Sequence, residues 1–212
     1  ALADRFGERL MVDEAQSIGV IGQHGSGGDE HCGINPDLVM GPFSKSFASL
    51  GGFVAGPANV IHWMRHHARA LIFSASITPA SAAAALAALD LIETRPDMRT
   101  RVLQVAHRVR TGLAEMGYQT AGGLSSPIVP VLVGEQDRML RLWRMLFDCG
   151  LFTNAVTQPA VPPGMDLIRT SFIASHTDAQ VAQILERFEE AGRKCGVLGE
   201  MPGSSTSRAA ER

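Results

Sequence analysis

Apolar positions along this chain come in short runs separated by glycine-rich or proline-marked breaks, and the period of each run decides which element it predicts. Residues 10–12 are an apolar run closing on the acidic pair Asp13-Glu14, which reads as a short buried strand, and the ALADRFGER before it reads as the end of a helix. From 17 to 36, glycines at 19, 22, 25, 27, 28 and 33 predict a loop rather than a helix. A loop of that length inside a compact domain is usually functional. Residues 38–40 and 52–55 predict two further strands. Pro57 opens a helix to about Arg69, Phe73-Ser74-Ala75-Ser76 is a connection, and Pro79 opens an alanine-rich helix to about Thr94.

Pro96 marks a domain boundary, because the pattern changes after it. Between 98 and 116 the apolar positions 98, 102, 105, 106, 109, 113 and 116 keep helical spacing, with arginines on the other face and Gly117 as a C-terminal stop. Strands are predicted at 128–133, 151–155 and 167–173, the last holding Arg169, and a helix at 136–149. Thr177 and Gln180 form a capping box ahead of the stripe Val181, Ile184, Leu185, Phe188 and Ala191. Helices alternating with strands make this an α/β protein of two units, 1–95 and 96–198, with a disordered tail at 199–212 and no internal repeat. A domain rarely begins in mid-unit, so an N-terminal portion is expected ahead of Ala1.

Composition adds exclusions. The 212 residues are 45% hydrophobic and 19% charged with net charge −2, as in a soluble globular protein with a real core. No basic stripe points to nucleic acid. Cys32, Cys149 and Cys195 are dispersed, which predicts neither a disulfide framework nor a zinc site and fits a reducing cytoplasm. No apolar run reaches the roughly 18 residues of a membrane span, and no signal peptide pattern is present.

The chemistry centres on residues 40–53, MGPFSKSFASLGGF. Lys45 stands between serines, after an apolar run and before Gly51-Gly52, and a lysine held in a tight, partly buried loop has its ammonium form disfavoured. Its free amine is then a nucleophile for a carbonyl, as in a Schiff base. Lysines between serines also occur on ordinary loops, so the constellation matters: Asp13 at a strand end about thirty residues upstream, a glycine-rich loop, Phe-Ser-x-Ser about thirty residues downstream, and Arg169 inside a late strand. A pyridoxal phosphate site needs an amine, a carboxylate for the ring nitrogen, hydroxyls for the phosphate and a cation for a substrate carboxylate.

DEAQSIGVIG, GPFSKSFASLGGF, ALIFSASITPA and LIRTSFIASHT resemble, in this order and spacing, the motifs of the α-oxoamine synthases. The resemblance covers about residues 8–195, is closest to the serine palmitoyltransferase branch, and corresponds to the C-terminal half of the family's usual chain. It implies fold type I, aminotransferase-like, with a partial large domain of mainly parallel sheet and a smaller C-terminal α/β domain. It also implies a cytoplasmic, pyridoxal-phosphate-dependent acyltransferase that condenses an amino acid with an acyl-CoA or acyl carrier protein thioester. Serine is the expected amino acid, with glycine and alanine behind it, and CO2 is lost. The aminoketobutyrate, aminooxononanoate and aminolevulinate branches stay open.

Residue by residue, the resemblance implies that Lys45 carries the cofactor and moves the α-proton, Asp13 pairs with the ring nitrogen, and Arg169 holds the substrate carboxylate. Ser74 matches a hydroxyl that reaches the phosphate of a neighbouring subunit, which implies a homodimer with shared active sites. Two positions depart from the pattern. Gln16 stands where a histidine bonds the ring's phenolic oxygen, and Pro42 stands where a threonine hydroxyl touches the phosphate, with Ser44 and Ser46 at hand to compensate. These departures leave a second reading, a catalytically silent partner subunit or inactive fragment. His62, His66 and His67 read as a solvated helix face rather than a metal site, GSGG as a loop without a following helix, and Trp63, Met139, Trp143 and Leu146 as core.

Overall fold

The apolar run ahead of Asp13-Glu14 forms a strand, one residue later than its hydrophobicity alone places it. The structure, a computed structural model, describes residues 2–199, so the predicted tail lies outside the described residues except for Gly199. After a one-turn helix α1 (Leu2–Phe6), β1 (Met11–Asp13) lies at the edge of a three-stranded sheet. That edge position exposes 51% of Met11, where a buried strand was expected. β1 is followed by the glycine loop, which contains a short helix α2 (Gly28–Cys32), and then by β2 (Leu38–Pro42) and β3 (Gly52–Ala55). β1 runs parallel to β2 with Asp13 beside Met40, and β3 returns antiparallel with Gly52 beside Pro42. The sheet is therefore mixed rather than mainly parallel.

α3 (Ala58–His67) is the helix expected from Pro57 to about Arg69; it stops where Ala68 takes an extended ψ of 106°, and a one-turn α4 (Arg69–Ile72) follows where no helix was expected. Trp63 is 58% exposed instead of packed in a core. Residues four apart share a helix face, and its ring stacks flat on His67 at 4.6 Å. α5 (Pro79–Thr94) is capped by Thr78, whose hydroxyl accepts from Ser81 N, and α6 (Pro96–Glu115) follows. The chain divides into two compact units between Thr100 and Arg101, one turn into α6.

In the second unit β4 (Gln119–Thr120), β5 (Ile128–Gly134), β6 (Asn154–Val156) and β7 (Asp166–Ser171) form an antiparallel sheet in the order β4-β5-β7-β6. β4 is too short for any periodicity to announce. α7 (Gln136–Asp148) and α8 (Asp178–Lys194) complete the unit. Strand alternation puts Val129, Val131 and Ile168 in the core with Val109 and Leu113 of α6, Met139, Leu142 and Leu146 of α7, and Val181 and Phe188 of α8. Trp143 is half-buried, and its indole N–H donates to the Thr153 carbonyl at 3.0 Å. The capping box of α8 has both bonds: Thr177 Oγ1 accepts from Gln180 N, and Gln180 Oε1 accepts from Thr177 N at 2.9 Å. One arginine of α6 departs from the expected outer face. Arg110 is buried because its guanidinium donates to the carbonyls of Gly123 at 3.2 Å and Ile128 at 3.1 Å, latching the β4–β5 connection.

Candidate active site

Parallel pairing of β1 and β2 sends the segments that follow them to the same sheet edge, the C-terminal one where open α/β sheets bind ligands. Asp13 is the last residue of β1 and Lys45 stands three residues past the end of β2, so topology gathers a carboxylate and an amine that the sequence separates by 32 positions. The pairing continues one residue beyond β1, with Glu14 N donating to Met40 O at 2.7 Å. Asp13 is exposed, and its Oδ1 accepts from Ala15 N at 2.8 Å. Its other oxygen has no hydrogen bond among the described residues. Gln16, three residues on, is exposed as well.

The lysine loop is closed by backbone bonds from Phe43 N to Gly51 O at 2.8 Å, Ser49 N to Phe43 O at 2.7 Å and Ala48 N to Lys45 O at 2.9 Å. Side chains pin it on both flanks. The Ser46 hydroxyl donates to Ile18 O at 2.6 Å, the Ser49 hydroxyl to Ser81 O at 2.7 Å, and Phe47 is buried with its ring 5.1 Å from that of Phe43. Gly51 has φ 103°, and a Cβ there would come within 2.5 Å of Ile77. With Ser46 and Phe47 turned inward as anchors, Lys45 is left exposed, not partly buried as the sequence argument required. Its amine makes no hydrogen bond or ion pair among the described residues.

Pro42 fits its place. Phe43 bonds Gly51, so the antiparallel ladder bonds fall on the odd-numbered residues of β2 and the nitrogen of Pro42 is directed to the β1 side. There Glu14 O already accepts from Ser17 N at 3.2 Å and Ile18 N at 3.0 Å, so no N–H is needed from position 42. Of the two hydroxyls flanking the lysine, Ser46 is committed to Ile18, and Ser44 is exposed. Ser74, just past α4 in the same unit, is exposed with its hydroxyl donating to the Ala70 carbonyl.

Arg169 lies in the other unit, at the middle of β7, beside Pro130 of β5 and Asn154 of β6. Alternation puts it on the face opposite Ile168 and Thr170, half-exposed, and among the described residues its guanidinium has no carboxylate or carbonyl partner. Arg101 and Arg108, by contrast, both bond Asp178, at 2.9 and 2.8 Å. His176 accepts at Nδ1 from Ile173 N at 3.1 Å, and its carbonyl accepts from Arg101 at 2.7 Å, so it organises the turn before α8.

Two residues to which sequence reasoning gave no structural role organise the site edge. Ser46, read only as a substitute for the missing threonine hydroxyl, is one. Glu14 is the other: it is fully buried and accepts from Ser17 Oγ, Gly28 N at 2.6 Å and Asp29 N at 2.9 Å. Burial pushes its carboxyl up, and the bonds from Ser17, Gly28 and Asp29 outweigh that and hold it below the ordinary glutamate value. The GSGG stretch does run into a helix, α2, and its first N–H groups are taken by this internal carboxylate. Gly27, at φ 134°, lies where any Cβ would run into it. The only signal for an inward Glu14 is its place next to Asp13 at a strand end, since successive strand side chains point oppositely.

A mixed sheet with a carboxylate and an amine at its C-terminal edge, followed by a second, antiparallel α/β unit, defines a fold type I, aminotransferase-like protein. Residues 1–188 match the family described as aminotransferase class I and II, and the chain belongs to it. It is 43% identical over 188 residues to a serine palmitoyltransferase of Sphingobacterium spiritivorum, covering 88% of this chain and 47% of that one. It is also 43% identical over 189 residues to a putative 8-amino-7-oxononanoate synthase 2 of Mycobacterium tuberculosis, covering 88% and 24%. Among solved structures, Sphingomonas wittichii serine palmitoyltransferase superposes with a TM-score of 0.88 at 35% identity, covering 93% of this chain and 50% of that one. A high-resolution structure of SPT with PLP internal aldimine gives 0.88 at 36% identity, with the same coverage. The chain spans about half the length of the serine palmitoyltransferases it matches. These relatives are of the α-oxoamine synthase kind that the four motifs resemble. No helix among the described residues is long and apolar enough to cross a membrane.

Proposed function

We propose that the protein is a pyridoxal-phosphate-dependent α-oxoamine synthase that condenses an amino acid, serine first, with a long-chain acyl thioester and loses CO2. The observation that supports this reading is the placement of Asp13 at, and Lys45 three residues past, the C-terminal ends of adjacent parallel strands. The residues present fit the cofactor: among the described residues the Lys45 amine has no partner and one Asp13 oxygen is uncommitted, and the second unit carries a half-exposed guanidinium at Arg169. When bound, pyridoxal phosphate supplies an electron sink for a carbanion at the amino acid's Cα. Lys45 anchors the cofactor through its amine and carries the α-proton. Asp13 keeps the ring nitrogen protonated by ion pairing. Arg169 would hold the substrate carboxylate with two parallel N–H bonds, and by fixing the orientation of the amino acid it would select which bond to Cα reacts. Gln16 donates its amide to the ring's phenolic oxygen, and Ser74 contributes to the phosphate site of a second subunit in a homodimer with shared sites.

A silent-subunit reading rests on Gln16 and Pro42. Against it stands the backbone around position 42, which needs no N–H there because Glu14 O already accepts from Ser17 N and Ile18 N. Protein expressed from the complete coding sequence is expected to absorb in the visible, and borohydride is expected to leave a pyridoxyl group on Lys45, located by peptide mass spectrometry. Lys45→Ala should lose both the label and the turnover. A variant that keeps colour and turnover removes Lys45 from the site, and cofactor binding with turnover only after a separate chain is added favours the silent subunit.

A further inference from the structure

Every polar group of Glu14 is in use, and each bond constrains a different side of Asp13. Its N–H extends the β1–β2 pairing to Met40 O at 2.7 Å. Its carbonyl accepts from Ser17 N and Ile18 N at 3.2 and 3.0 Å, turning the chain sharply after the strand. Its carboxylate reaches 14 and 15 residues ahead to Gly28 N and Asp29 N at 2.6 and 2.9 Å and also takes the Ser17 hydroxyl. The turn so clamped contains Ala15, whose N–H holds Asp13 Oδ1 at 2.8 Å and thereby sets the direction of the free Asp13 oxygen.

An ionised carboxylate with no exposure is tolerated only when its acceptor sites are filled, and an apolar residue of the same size would pack there without that demand. The glycine loop matches it in detail, since Gly27 leaves room for the carboxylate where a Cβ would run into Glu14 Oε2. From this we infer that Glu14 is a positioning residue for Asp13: it fixes the turn that aims the Asp13 carboxylate, and so tunes how the protein holds a protonated ring nitrogen. This rests on the cofactor reading above. Glu14 has no exposed surface and its carboxylate is taken up by Ser17, Gly28 and Asp29, so it acts through its neighbour.

The test is a double-mutant cycle read by pyridoxal phosphate affinity and by the pH profile of the bound cofactor's visible band. Glu14→Gln keeps the size of the side chain but sets an NH2 against one of two backbone donors. It is expected to fold, by circular dichroism, and to bind pyridoxal phosphate on the order of tenfold more weakly, as loss of an outer partner does at ligating groups. The pH profile should shift with it. Asp13→Asn alone should weaken binding further, and adding Glu14→Gln to it should change little. A direct field effect of the lost charge on the ring would persist in the Asp13→Asn background, and so would a general loosening of the fold; either result overturns the inference. So does wild-type affinity in Glu14→Gln. If Glu14→Gln does not fold, Ser17→Ala, which removes one donor and leaves the carboxylate, is carried through the same cycle, with a loss of about two- to threefold expected and no loss counting against the inference. If Asp13→Asn itself binds with unchanged affinity and spectrum, Asp13 is not the ring's partner, and the cofactor assignment falls together with the inference. Loss in Asp13→Asn with none in Glu14→Gln overturns the positioning role alone.

Discussion

The Ser46 hydroxyl donates to the Ile18 carbonyl at 2.6 Å, so the residue after the lysine is tied to the turn that follows Asp13. This single bond joins the two loops that carry the amine and the carboxylate, across 28 positions of sequence. Gly19, next to Ile18, makes the approach possible: it has φ 78°, and a Cβ on it would stand 2.8 Å from Ser46 Cβ.

Removing the bond and blocking the approach should therefore differ in cost. Ser46→Ala deletes one hydrogen bond and leaves a carbonyl that water can reach, for a loss of about 1 kcal/mol. Gly19→Ala adds both a left-handed backbone penalty and a steric conflict, for a loss of about 2 kcal/mol or more. Urea unfolding of the two variants measures the order. Equal midpoints would show that the loops are not in contact at Gly19.

Glu14 gives the chain a specific acid sensitivity. Its carboxyl is held below the ordinary glutamate value in the folded protein, and the unfolded chain titrates at the ordinary one. A depressed carboxyl stabilises the fold above the unfolded value, and that stabilisation is lost as pH falls through the folded one. Unfolding midpoints measured from pH 7 down to pH 3 should fall below about pH 4.5 in the wild type, and the fall should be shallower in Glu14→Gln. Identical slopes would mean that other carboxylates, such as Asp178 between Arg101 and Arg108, carry the acid response.

Much of this architecture is legible in the sequence because its signals are local. The capping box at Thr177 and Gln180, the proline opening at Pro79 and the stripe of α8 are each local signals, and each appears as read. What sequence does not display is contact between distant positions. Glu14 looks like a surface acid until Gly28 and Asp29 arrive from 14 and 15 residues away. Ser46 looks like a substitute phosphate ligand until Ile18 takes its hydroxyl. Lys45 looks enclosed by an apolar loop, yet Phe47 fills the inside and leaves the lysine outside. Asp13 and Lys45 meet at one edge only through the parallel register of β1 and β2, which follows from the sheet and not from either motif.

Pro42 makes the last prediction, because its backbone role and its chemistry separate cleanly. The pattern that the lysine loop resembles has a threonine at this place, with its hydroxyl on the cofactor phosphate. In this chain the nitrogen of residue 42 faces Glu14 O, which already accepts from Ser17 and Ile18, so proline removes a donor that the fold does not use. Opposite it stands Gly52, whose Cβ, if it had one, would lie 2.8 Å from Gly41 O. A threonine at 42 is β-branched and suits a strand, its N–H would have the Glu14 carbonyl to share, and its side chain would meet no side chain from Gly52 across the ladder. Pro42→Thr should therefore change stability by less than about 1 kcal/mol, while the added hydroxyl offers an anion one more donor. Under the proposed function, fluorescence titration with pyridoxal phosphate should show tighter binding, by about tenfold or more for one hydrogen bond to a charged group. Unchanged affinity with unchanged stability would show that position 42 does not reach the phosphate in this protein, and that its proline is a neutral replacement, not a weakened site.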